Sequence, residues 1–256
     1  MEKQEFVLDL DPEKFRSTND AWNSLMLNDP WSVGYVSSLI ETKEWNSKEE
    51  WENFYYESGK KRNSLILNNA TTLNNFSLPL KGKSYMESLP WNLKNLNYQY
   101  GRTLEDLQKR AEALYEMVKD NGYNLTVEDC LKCVRFRTIC ETWNGIIIRE
   151  NRTIETLKTI FPDIDFEKTP GDVDHTYAVD YELKRNGKLL CAIQIKPKSY
   201  LGFAPYLQKA RQANLLKNRT YKNLYHVDVY NVISKSNGEI INNEVIQEIR
   251  NAITNN

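Results

Sequence analysis

Apolar positions in the first half of the chain recur every three or four residues, the period of a helix with one buried face. In TLEDLQKRAEALYEMVKD the stripe is Leu107, Ala111, Leu114 and Met117 or Val118, and Asn121-Gly122 stops it. Asn46 or Ser47 can cap a helix through KEEWENFYYES, with Gly59 and the following KKR as its end. Thr126 with Asp129 makes a capping arrangement for another helix, reaching about Cys140. Residues 62–101 are rich in Asn, Ser, Leu and Gly and read as loops with short elements. Together these patterns predict a mainly helical region over residues 1–140.

From about residue 141 the pattern changes. WNGIIIRENRTIETLKTIF predicts a helix, and PDIDFEKTPGD is an acidic stretch punctuated by Pro and Gly. TYAVDYEL and KLLCAIQIK are strand-like runs joined by Arg185-Asn186-Gly187-Lys188. Asn-Gly between two such runs predicts a β-hairpin. FAPYLQKARQANLLKN predicts a basic amphipathic helix, NLYHVDVYNVI a last strand and EVIQEIRNAI a last helix. Residues 141–256 therefore read as an α/β core, a mixed β-sheet flanked by helices.

Composition changes this picture little. Of 256 residues, 40% are hydrophobic and 27% charged, ordinary values for a globular chain. No window approaches the roughly 20 apolar residues of a membrane helix. The N-terminus MEKQEFVLDLDPEK lacks the apolar run of a signal peptide. Both predict a cytoplasmic protein without a membrane partner, its cysteines reduced. Cys130 and Cys133 form a C-x-x-C, but at helical spacing among apolar residues and with no second ligand pair, which favours buried thiols over zinc. The six tryptophans read as core. His175 and His226 have no evident catalytic neighbour.

The distribution of charge matters more than its net value of −1. Acids dominate from Asp163 to Glu182, with Lys168 the one base. From Lys196 to Lys222 there are only bases: Lys196, Lys198, Lys209, Arg211, Lys217, Arg219 and Lys222. An acidic cluster followed by a basic run suits a metal site beside a polyanion groove.

The hairpin joins the two. Gln194 and Lys196 share one face of the second arm, because side chains alternate along a strand. Folding at Asn186-Gly187 brings them towards Asp180 in the first arm. An aspartate needs a reason to sit in a strand. A carboxylate, a second oxygen ligand and a lysine are what metal-dependent phosphodiester cleavage requires.

This layout resembles the PD-(D/E)xK nuclease superfamily, with Gln194-Ile195-Lys196 standing where (D/E)-x-K is usual. The order of four further segments is similar to the MjaI family of type II restriction endonucleases. These are SVGYVSSLI (Ser32 to Ile40), TWNGIIIRE (Thr142 to Glu150), GDVD (Gly171 to Asp174) and IKPKSY (Ile195 to Tyr200). The resemblance implies a PD-(D/E)xK core and Mg²⁺-dependent cleavage of double-stranded DNA at a short palindrome, with Mn²⁺ able to substitute and CTAG as the family-level target. A palindrome implies a homodimer. Asp180, Gln194, Lys196 and Glu150 would be catalytic, with Glu141 and Glu155 as alternates to Glu150. Asp180, Gln194 and Ile195 would hold the metal, and Asp172 and Asp174 could reach the site from the preceding loop. Lys198, Tyr200, Lys209 and Arg211 would contact DNA. The 1–140 region would carry dimer contacts and sequence recognition. Two other readings stay open. One is a repair or junction-resolving nuclease. The other is a DNA-binding protein whose nuclease site has decayed, kept alive by the neutral Gln194.

Overall fold

The computed structural model describes residues 3–68, 91–203 and 205–255. Contacts divide the chain into two compact units, Met1–Asn144 and Gly145–Asn256.

The first unit is helical. Short helices α1 (Pro12–Ser17), α2 (Asn19–Ser24), α3 (Pro30–Val33) and α4 (Val36–Ile40) precede the long α5 (Lys48–Asn68). Then come α6 (Trp91–Gln99), α7 (Leu104–Val118) and α8 (Val127–Arg135), followed by a π-helical turn at Phe136–Cys140. Helices α7 and α8 both open with full capping boxes, Thr103 with Asp106 and Thr126 with Asp129. Ser47 Oγ accepts the Glu50 N–H at the start of α5.

Gly59 does not end α5, as its sequence context suggested. It lies inside the helix because the Arg102-Thr103 backbone crosses there: a Cβ would stand 2.3 Å from the Arg102 carbonyl carbon. The loop reading of 62–101 also needs correcting at its ends, where α5 reaches Asn68 and α6 begins at Trp91. The rest of that stretch, 69–90, lies outside the described residues. Trp22, Trp31, Trp45, Trp51 and Trp143 are buried. Cys130, Cys133 and Cys140 are buried free thiols, and burial pushes Cys130 and Cys140 up to about 12.

The second unit is a four-stranded mixed sheet in the order β1 (Asp165–Lys168), β2 (Tyr181–Arg185), β3 (Lys188–Pro197), β4 (Val229–Ser234). The pairs β1–β2 and β2–β3 are antiparallel and β3–β4 is parallel. Asn186 and Gly187 form the hairpin turn with φ of 52° and 76°, the left-handed pair that a type I′ turn requires. A parallel pair needs a crossover, supplied by α11 (Pro205–Tyr225).

Helices cover both faces of this sheet. On one face α9 (Arg149–Ile160) and α12 (Glu244–Asn255) pack Ile154, Leu157, Val245 and Ile249 against Leu183, Ile193, Ile195 and Val232. Each fully buried aliphatic contributes roughly 1.5–3 kcal/mol. On the other face Tyr221 of α11 packs with Val179, Ala192 and Val227. Val173 and Tyr177 of the short α10 (Gly171–Tyr177) pack against the same cluster. This revises the sequence reading of TYAVDYEL: Thr176 and Tyr177 belong to α10, and the strand starts only at Tyr181. Among the described residues, no helix is long and apolar enough to cross a membrane.

Candidate active site

Asp180 sits immediately before β2, where the hairpin's open end meets the end of β3. Its N–H donates to the Ile193 carbonyl at 2.9 Å. Its Oδ2 accepts the Ile195 N–H at 2.6 Å. The carboxylate is thus fastened to the peptide between Gln194 and Lys196. Those two side chains point away from the Ile193–Ile195 core face, towards the face of Ala192, α10 and α11. The structure therefore brings Asp180, Gln194 and Lys196 together.

Local geometry fixes this corner. Pro170 precedes α10, and Ala178 ends it in the left-handed conformation, φ 55°. Thr169 then ties the returning chain down: its Oγ1 donates to the Val179 carbonyl, and its N–H donates to the Asp180 carbonyl at 3.0 Å. Asp174, on α10, hydrogen-bonds to the Asp180 carboxylate. Burial raises the Asp180 carboxyl to about 7; the Lys196 charge pulls it down, while Asp174 adds to the rise.

Gln194 is 2% exposed, and its Oε1 has no hydrogen-bond partner among the described residues. A buried amide oxygen without a partner costs about 1–3 kcal/mol. In the parallel register Gln194 pairs with Asn231, whose Oδ1 is in the same condition. Such oxygens fit a hard cation. Among the described residues no group of three His, Cys, Asp or Glu is gathered for a metal, so any oxygen site here must include amide or main-chain oxygens.

Glu150 stands in the first turn of α9, the helix packed on the opposite face of the sheet. It makes an ion pair with Lys168 at 3.1 Å. Burial raises its carboxyl; Lys168 opposes this, and the charge of Asp180 adds to it. Glu150 is thus within electrostatic reach of Asp180 while already engaged. Burial lowers the neighbouring Arg149 guanidinium, which also senses Glu150 and Asp180. Sequence reasoning missed Arg149 and Lys168, because only the pairing of Lys168 with Tyr181 across β1–β2 puts that lysine here. Glu155 is exposed, and Glu141 belongs to the first unit. The side chains of Asp172 and His175 lie outside the described residues.

The four expected DNA contacts divide. Lys198 and Lys209 are exposed. Arg211 is half-buried and donates to the carbonyls of Tyr200 and Gly202, the latter at 2.8 Å. The Tyr200 hydroxyl accepts from Asn214 at 3.1 Å. Arg211 and Tyr200 therefore brace the 3₁₀ turn Lys198–Leu201 against α11.

An acid, an unsatisfied amide oxygen and a lysine at one end of a mixed sheet make a site suited to hydrolytic chemistry on phosphate. The comparison with protein families agrees with this class: the model of the MjaI restriction endonuclease matches residues 18–240. The match spans most of the chain, and the protein belongs to that family. Membership makes it a nuclease, a hydrolase that binds DNA. No curated protein and no solved structure matches the chain.

Proposed function

We propose that this protein is a type II restriction endonuclease with a PD-(D/E)xK-type core, cutting double-stranded DNA at a short palindrome with Mg²⁺. The observation that carries the reading is the Asp180–Ile195 hydrogen bond, which holds the aspartate beside Gln194 and Lys196. Asp180, Gln194 and the main chain of Ile195 would hold Mg²⁺, and Mn²⁺ suits the same oxygens. When bound, the cation polarises the scissile phosphate and acidifies a water.

The chain's own residues do the rest. Lys196 holds the attacking water and faces the negative charge that develops on the phosphate. Asp180 enters the reaction ionised, as holding a cation requires. Glu150, paired with Lys168, sets the field around Asp180 from the other side of the sheet. Lys198 and Lys209 take backbone phosphates, giving salt-dependent affinity without sequence information. A palindromic target makes the protein a homodimer. The Met1–Asn144 unit carries dimer contacts and base recognition.

The test is digestion of a long, fully sequenced duplex with Mg²⁺ and with EDTA, followed by sequencing of the new ends. Discrete Mg²⁺-dependent fragments support the reading and give the site and overhang together. A smear indicates a less specific nuclease. The neutral Gln194 favours one alternative, a DNA-binding protein that has lost cleavage; DNA bound yet intact in both Mg²⁺ and Mn²⁺ is its signature.

A further inference from the structure

Gln194 leaves the site one negative charge short of an acid at the same strand position. Its oxygen is nonetheless buried and without a partner among the described residues. A second carboxylate stands next to Asp180. Asp174 hydrogen-bonds to Asp180, and Asp180 holds the peptide that follows Gln194. The position of Asp174 is built in by the backbone. Its N–H donates to the Pro170 carbonyl at 3.0 Å, and its carbonyl accepts from Ala178 at 2.7 Å. Ala178 is left-handed without being glycine, a conformation costing roughly 1–2 kcal/mol. Val173 and Tyr177, on either side of Asp174, are anchored in the apolar cluster under α11. Two carboxyl groups in contact either share a proton or hold a positive ion against both. An oxygen-binding divalent cation is such an ion, and the Gln194 oxygen is directed to the same face.

We propose that Asp174 is the second acidic cation ligand of this site and supplies the charge that Gln194 lacks. The inference rests on the nuclease reading above. It assigns the acid to a short helix ahead of the hairpin rather than to β3. The cation site is then shared between α10, the start of β2 and β3.

The experiment is Mn²⁺ binding to the full-length protein with uncleaved duplex DNA present, followed by electron paramagnetic resonance of free Mn²⁺. Wild type, Asp174→Asn, Asp180→Asn and the double variant Asp174→Asn with Gln194→Glu are compared, with far-UV circular dichroism as the folding control. Asp174→Asn should weaken Mn²⁺ about tenfold or more. The double variant should recover most of that loss, because it moves the charge to the strand; a merely structural aspartate would not be rescued this way. Wild-type Mn²⁺ affinity in Asp174→Asn, or no recovery in the double variant, overturns the assignment while the nuclease reading stands. Absence of Mn²⁺ binding by wild type overturns both.

Discussion

Replacing Asp180 by Asn should stabilise the protein while removing its activity. The Asp180 carboxyl lies at about 7 in the folded chain against an ordinary 3.8. At about 1.4 kcal/mol per pH unit of difference, keeping it ionised costs the folded state at most about 4 kcal/mol. The sign follows from proton linkage. Below pH ~4 the group is protonated in both states and costs nothing. As pH rises towards 7 the unfolded chain has released its proton and the folded chain has not, so stability falls. Above 7 the penalty is constant. An asparagine oxygen still accepts the Ile195 N–H and never ionises, but it gives up the attraction to Lys196. A net gain of about 2 kcal/mol at pH 8 is expected, shrinking below about 1 kcal/mol near pH 4. Urea unfolding of both proteins across that range, followed by far-UV circular dichroism, measures the difference. An Asn variant no more stable than wild type at pH 8, or a gain that does not vary with pH, would refute the argument.

Lys196→Ala should lower the cleavage rate by a hundredfold or more with the fold intact, read from single-turnover digestion of duplex DNA; near-wild-type cutting would remove Lys196 from the site. Gly59→Ala should cost about 1–3 kcal/mol or more, because its Cβ would strike the Arg102 backbone, and thermal unfolding would show it. Cys130→Ser and Cys133→Ser should keep cleavage activity, since both thiols are buried and hard to ionise; loss of activity together with loss of bound zinc would show otherwise.

The hairpin was legible in the sequence because Asn186-Gly187 is a local signal between two strand-like, largely apolar runs. The same local logic misled at Gly59. A glycine before a basic run looks like a helix end, whereas its cause is a chain segment more than 40 residues away in sequence passing too close for any side chain. Strand β1 was missed because three of its four residues are exposed, so it has no apolar alternation to detect. The acidic run from Asp163 to Glu182 looked like a single cluster. In the fold it disperses: Asp163 and Asp165 are exposed, and Glu167 and Glu182 both pair with Lys184. Glu182 also accepts from the Tyr221 hydroxyl at 2.5 Å. Among the described residues only Asp174 and Asp180 come together there, through the return of α10 into β2, which no spacing rule reveals.

All six tryptophans lie at or before position 143, while Tyr177, Tyr221 and Tyr225 are grouped in the second unit with ring centroids 4.4–6.3 Å apart. Tryptophan is therefore an optical reporter of the first unit alone, whereas tyrosines occur in both units. Red-edge excitation lights only the helical unit. The unit holding Asp180 is dark in that channel, so an unfolding transition seen by far-UV circular dichroism but silent in tryptophan emission belongs to it, without any label.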